Sequence, residues 1–448
     1  MKHSRLFLWS ITASLAGFLF GFDTIVISGA EQKIESIWNL SSVMHGLCMS
    51  SALWGTVLGS LVGGWPTEKF GRRKTLIWIG ALYFVSAVCS GIAPDKLFFI
   101  IARFIGGIGV GVATVASPLY ISEISPPGLR GRLAGMFQFN IVFGILIAFV
   151  SNYFIGKYVN PQIAWRWMLG VEAIPALIYS LMCLMISESP RWLIVHGGKR
   201  EQGMEVFRQI NPEMSETELS ALADSVAASV GENKEKAAKF FTKRLKVPIM
   251  LAFFVAFFNQ LSGINAILYF APRIFEWTGL GESAALLQSV GIGITNLVFT
   301  YVGLYLIDKL GRRTLLYIGS FGYIISLGIC SWAFHAEFYK IVPICIFAFI
   351  AAHAIGQGTV IWVLISEIFP NRNRSAGQAL GSFTHWFFAA SLTLFFPKMA
   401  HILSPSLIFG FFCFMMVLQL VWVKTMVPET KGVSLEDMQE KLGLNLKS

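Results

Sequence analysis

Twelve membrane-spanning helices, built as a duplicated six-helix unit, are what this sequence predicts, and three observations carry the prediction. The residues are 55% hydrophobic and only 13% charged, with a mean hydropathy of +0.65, where a soluble domain carries about 25% charge. Apolar stretches long enough to cross a bilayer as helices, roughly 20 residues each, recur along the 448 residues. Short motifs of the first half return about 240 positions later.

The apolar stretches fall at 7–30, 43–66, 75–93, 97–122, 131–156, 166–187, 246–276, 284–307, 314–335, 340–366, 376–401 and 403–427. Alternating strands of a membrane barrel are not apparent. The first stretch holds the most telling residue, because its apolar run carries an acid, Asp23. An acid in hydrocarbon costs at least about 2.5 kcal/mol on insertion, so it marks function unless it reaches water at the outer end of the helix. Arg103, alone among the lysines and arginines in lying more than three residues inside a stretch, is its natural partner. A nearby arginine favours the ionised acid while burial disfavours it, so a contact that forms in one conformation and breaks in another couples protonation to shape. The bland alternative for Arg103 is a side chain that snorkels to an interface.

Between the sixth and seventh stretches lies the only sizeable polar connection, whose Glu, Lys, Arg and Ala suit short surface helices. The expected organisation is therefore a six-helix bundle over 1–187, a linker over 188–245, a second bundle over 246–427 and a tail over 428–448. An even count of spans puts both termini on one side. The terminal and even-numbered connections hold 27 lysines and arginines and the others seven, so the termini and the linker are expected in the cytoplasm. The net charge of +10 then follows from topology and contact with anionic lipid, with no nucleic-acid partner implied. The six cysteines form no CxxC pair and read as small apolar residues. No nucleophile–base pair, phosphate loop or metal cluster is evident, so neither an enzyme nor a cofactor nor a metal is expected.

The repeat is explicit. Glu68-Lys69-Phe70-Gly71-Arg72-Arg73 returns as Asp308-Lys309-Leu310-Gly311-Arg312-Arg313, Ile121-Ser122-Glu123-Ile124 as Ile365-Ser366-Glu367-Ile368, and Gly21-Phe22-Asp23 as Gly263-Ile264-Asn265. Six helices return the chain to its starting side, so the copies are parallel and related by an axis along the membrane normal, as in transporters whose halves rock around a central site.

These loops, with Ser189-Pro190-Arg191-Trp192, Asn259-Gln260-Leu261-Ser262-Gly263-Ile264-Asn265 and Pro428-Glu429-Thr430-Lys431-Gly432, resemble the sugar porters of the major facilitator superfamily over essentially the whole chain. Asp23 and Arg103 look like the acid and arginine of the bacterial proton-coupled pentose and hexose symporters, xylose transporters included. The resemblance implies import of a monosaccharide with a proton across a bacterial inner membrane, by a protein that works as a monomer. A proton-independent facilitator and a polyol or inositol symporter are the alternatives. It also implies ion pairs that close the cytoplasmic side: Glu123 with Arg73 and Arg130, and Glu367 with Arg312 and Arg374.

Sugar hydroxyls need donors and acceptors together, which carboxamides supply. Gln138, Asn259, Gln260, Asn265 and Asn296 are such amides on apolar helices, and interhelical hydrogen bonds are the alternative use for each. Trp362 and Trp386 match aromatic sugar contacts of the family, and Phe20 and Tyr269 resemble its nearby rings. Gly263 and Gly281 suggest that the seventh helix bends. This chain departs from the family in Asn259 for glutamine, Ile145 for a second glutamine, Gly358-Thr359-Val360 without proline, and His385 where an amide is common. His385 is a candidate sugar contact or titrating group, with an ordinary buried imidazole as the alternative.

Overall fold

The computed structural model describes residues 4–233, 240–370, 373–433 and 435–442, and among these there are helices, turns and no strand. Among the described residues, eleven helices are long and apolar enough to span a bilayer: Ser4–Gly29, Arg72–Ile92, Lys96–Ile124, Gly135–Tyr158, Ala164–Met185, Lys243–Tyr269, Glu282–Leu310, Arg312–His335, Tyr339–Ile368, Arg374–Ile402 and Pro405–Met426. The second of the twelve expected spans is Ser42–Val62 continued by Gly64–Phe70, bent by 52° between them. Large apolar side chains on these helices, such as Trp78, Met185, Tyr301, Ile325 and Leu407, are exposed. In water they would form an aggregation surface; in a bilayer they are the lipid face.

Local chemistry sets the ends. Asp95 accepts from the N–H groups of Leu97 and Phe98, at 2.8 and 3.0 Å, and starts the fourth span. Ser404 and Pro405 start the twelfth in the same N-cap and first-turn roles. The chain reverses between spans two and three at Gly71 (φ +93°), and between eight and nine at Gly311 (φ +89°). Only glycine fits there, because the backbone is left of the allowed range for other residues and a Cβ would strike the carboxylate of Glu188 or of Glu429.

Two compact units can be distinguished. One comprises Met1–Thr24, Gly55–Ile145 and Leu169–Ala237; the other comprises Ile25–Trp54, Leu146–Met168 and Ala238–Ser448. Within the first, the third span packs on the fourth and the sixth; within the second, the ninth packs on the tenth and the twelfth. Three and nine are equivalent positions in the repeat, so the duplication read in the sequence is a duplication of packing. The linker carries helices Pro190–Val195, Arg200–Ile210 and Glu216–Asn233, which pack on one another. The second unit takes in the segments that follow span one and end span five. Gly46 meets the backbone of Leu394, and Gly156 meets Leu286, so these segments rest on the second copy of the repeat.

The seventh span is broken, as its sequence suggests. Helix Lys246–Leu261 ends at Gly263 (φ +88°), where a Cβ would run into the Phe412 ring. Short helices Ile264–Tyr269 and Ala271–Glu276 follow. Gly281 plays no part in the bend, because its backbone is extended (φ −72°, ψ 160°) and it precedes span eight.

Candidate functional site

In the first unit, Asp23 and Arg103 are each 1% exposed and meet directly, Nη1 to Oδ1 at 2.5 Å. Arg103 Nη2 also donates to the Asp23 carbonyl at 2.8 Å. The buried pair excludes both bland readings, an acid in water and an arginine at an interface. Glu172 of the sixth span, also 1% exposed, lies within electrostatic reach of both, and Tyr83 borders both acids. Neither Glu172 oxygen has a hydrogen-bond partner among the described residues. Two carboxyls thus share the surroundings of one guanidinium. Glu172 was not singled out above, although its signal is the one that marked Asp23: an acid inside an apolar stretch. Gln138 and Phe20 belong to this unit too, the first half-buried and the second buried.

In the second unit, the break at Gly263 gathers the amides of span seven. Gln260 Nε2 donates to Asn259 Oδ1 at 2.9 Å, and Asn265 Nδ2 donates to Gln260 Oε1 at 2.6 Å. The same Gln260 nitrogen lies 3.1 and 3.2 Å from the two ring nitrogens of His385. His385 in turn sits between the indoles, 5.2 Å from Trp362 and 4.7 Å from Trp386 by ring centroids. A chain of amides against two tryptophans is thus assembled in one place, with donors and acceptors engaged on one another. Carboxamides offer donors and acceptors together, and indoles offer apolar faces. Tyr269 is fully buried at the end of its short helix. Asn296 is buried on span eight with Thr300 Oγ1 at 3.5 Å, and among the described residues it makes no hydrogen bond to the cluster.

The Gly-Arg-Arg motifs correct one expected pairing. Glu123 binds Arg72, through Nε at 2.9 Å and Nη2 at 2.8 Å, and not Arg73. Arg73 turns instead to the carbonyls of Cys183 and Leu184. The reason is rotation: after Gly71 reverses the chain, the first arginine of the pair points back along the acid's helix and the second points across the sixth span. Arg312, the repeat counterpart of Arg72, binds Glu367 in the same way at 3.0 and 2.8 Å. Arg374 makes no ion pair with Glu367 among the described residues, and its Nε and Nη2 lack hydrogen-bond partners. The side chain of Arg130 lies outside the described residues.

Each copy also has a third acid. Glu188 accepts the N–H groups of Arg72 and Arg73 at 2.8 and 3.1 Å; Glu429 accepts those of Arg312 and Arg313 at 2.9 and 3.0 Å. Both cap a helix N-terminus, where anions are favoured. The next residue, Ser189 or Thr430, donates its hydroxyl to Glu123 or Glu367. Burial leaves the Glu188 carboxyl raised despite its backbone donors. Burial also opposes ionisation of Glu429, but the N–H groups of Lys431, Arg312, Arg313 and Thr430 prevail and hold it low. Glu188 lies 116 residues after Arg72 and Glu429 lies 117 after Arg312, and this near-match was the available signal for these caps.

Comparison with known proteins places this geometry. The chain is 34% identical to an arabinose–proton symporter of Bacillus subtilis, covering 98% of this chain and 96% of that protein. It is 34% identical to a D-xylose–proton symporter of Escherichia coli over the same shares. A solved structure of the E. coli xylose transporter in an inward-open conformation matches with a TM-score of 0.87, at 32% identity, covering 97% of this chain and 99% of that one. The family described as sugar (and other) transporters matches from residue 9 to 442. The chain therefore belongs to that family, the sugar porters of the major facilitator superfamily.

Proposed function

We propose that this protein imports a monosaccharide, a pentose or a hexose, together with a proton, by alternating access. The observation that carries the reading is the buried Asp23–Arg103 pair beside Glu172, because a facilitator has no use for an excess carboxyl in hydrocarbon. The halves 1–187 and 246–427 are the moving bodies, the amide chain with Trp362 and Trp386 holds the sugar, and the Arg72–Glu123 and Arg312–Glu367 pairs latch the inner side. Gln138, Phe20, Tyr269 and Asn296 complete the sugar's surroundings. The protein lies in the bacterial plasma membrane with both termini in the cytoplasm, as the distribution of lysines and arginines supports, and acts as a monomer.

A proton on Asp23 weakens its hold on Arg103 and frees the first unit to repack. One proton crossing 100 mV brings about 2.3 kcal/mol, enough for roughly 40-fold accumulation. Vesicles containing only this protein therefore concentrate labelled xylose, arabinose or glucose under an imposed proton gradient and take up protons when sugar is added. Sugar that equilibrates but never accumulates identifies a facilitator instead.

A second expectation concerns the sugar. Gln260→Ala and Asn265→Ala weaken its binding by about 1–3 kcal/mol, the cost of hydroxyls left unpaired in a buried site. Calorimetry on the purified protein measures this. Unchanged affinity in both variants means that the amides serve helix packing.

A further inference from the structure

A second cluster of charge lies away from the Asp23 pair, within the second unit. Arg273, on the short helix Ala271–Glu276, binds both oxygens of Glu31, Nε at 2.8 Å and Nη2 at 3.0 Å, and its Nη2 also binds Glu35. His45 faces the same two acids from the start of span two, with Nε2 3.0 Å from Glu31 and Nδ1 3.5 Å from Glu35. Glu31 and His45 have no exposed side-chain surface; Arg273 and Glu35 retain 20% and 33%. The Phe270 ring meets His45 edge-on, and the eleventh span closes beside it at Leu394 against Gly46. The other charged groups of this region are Lys33, which binds Gln162, Glu276, which binds Gln32, and Glu282 beyond Glu276.

The positions are informative. Arg273 follows Glu31 by 242 residues, the offset that relates Asn265 to Asp23. Equivalent residues of a parallel duplication meet across its axis, and identical charges there would repel. This chain has an acid in the first copy and a base in the second. The pair therefore joins segment 31–45 of the first copy to the outer part of the broken seventh span of the second.

Resting on the transport reading above, we infer that Glu31, Glu35, His45 and Arg273 form a latch on the outer side, and that Arg273 positions the outer part of span seven so that the sugar site is shut from outside. Opening this side requires the latch to part. Charge counting gives it a pH dependence. Two carboxylates and one guanidinium leave one negative charge in a site where Glu31 is wholly buried, and a proton on His45 brings the sum to zero. The His45 contact and then Arg273 hold Glu35 down at about 2. The stabilisation from Glu35 is thus full above its ordinary value of 4.5 and is lost only as pH falls through about 2. On the alkaline side the latch loses its fourth charge when His45 gives up its proton. Three ligand-type side chains stand together here, but the oxygens that would face a cation are already shared between Arg273 and His45, which favours the ion-pair latch.

Hydrogen–deuterium exchange on the full-length protein tests this without sugar or a proton gradient, so its failure is separable from failure of the transport reading. With rates corrected for the intrinsic pH dependence of amide exchange, peptides covering 31–45 and 264–277 are protected more strongly at pH 6 than at pH 8, by up to tenfold per pH unit for one linked proton. Arg273→Gln removes that protection at both pH values. His45→Gln flattens the pH dependence at the wild-type pH 8 level. The linker helix 200–210 reports the fold; if it too loses protection in Arg273→Gln, Glu35→Gln, at the exposed edge of the cluster, takes its place with a smaller loss of the same sign. Protection in the wild type that is equal at pH 6 and 8, or protection in a folded Arg273→Gln or Glu35→Gln that matches the wild type, overturns the proposal.

Discussion

Asp23→Asn exchanges labelled sugar across the membrane at close to the wild-type rate and no longer concentrates it. Asparagine keeps the size and much of the hydrogen bonding of the protonated acid but has no proton to release. Its carbonyl oxygen still accepts from Arg103, and the Asp23 main-chain carbonyl keeps its bond to Nη2. Exchange needs only the loaded carrier to change sides. Accumulation needs the proton to arrive bound and leave free, and the roughly 40-fold gradient available at 100 mV therefore falls to none. Paired measurements of exchange and of driven uptake in the same vesicles decide the matter. Proton-driven accumulation at the wild-type level in Asp23→Asn moves coupling to another group, and Glu172 is the first to test because it borders the same guanidinium.

Arg103→Met destabilises the protein by about 3–5 kcal/mol, the usual cost of removing one partner from a buried pair. The arginine is the cation that faces Asp23, and it also satisfies a main-chain carbonyl of the first span. Its loss leaves Asp23 and Glu172 buried together. Combining Arg103→Met with Asp23→Asn recovers part of the loss, because the second change removes the charge that the first exposed. The coupling energy read from this double-mutant cycle isolates the pair from the packing of the methionine. Thermal denaturation of the four purified proteins provides it, and a single variant as stable as the wild type shows that the pair contributes nothing to the fold.

What the sequence determined by itself are properties that a linear segment owns. Span positions follow from length and hydropathy. The break in span seven follows from Gly263, which no other residue replaces at φ +88°. The turn glycines Gly71 and Gly311 announce chain reversals wherever they fold. The acid and the arginine in hydrocarbon could be matched because few charges lie deep within spans. The gathering of Asn259, Gln260 and Asn265 was legible because seven consecutive residues on one bent helix stay near one another.

Tertiary structure decided whatever depends on helix rotation and on which helices touch. Arg72 and Arg73 are adjacent and chemically identical, and only the orientation of span three sends one to Glu123 and the other to the end of span six. Glu188 and Glu429 become caps because the ends of spans six and twelve come to rest over the first turns of spans three and nine. Glu172 joins Asp23 and Arg103 by packing alone, and Arg273 reaches Glu31 across 242 residues. A one-dimensional pattern fixes the phase of each helix only where one face is polar and the other apolar. In a bilayer both the lipid face and much of the packed face are apolar, so phase, and with it the choice of partner, is settled by side-chain packing between helices.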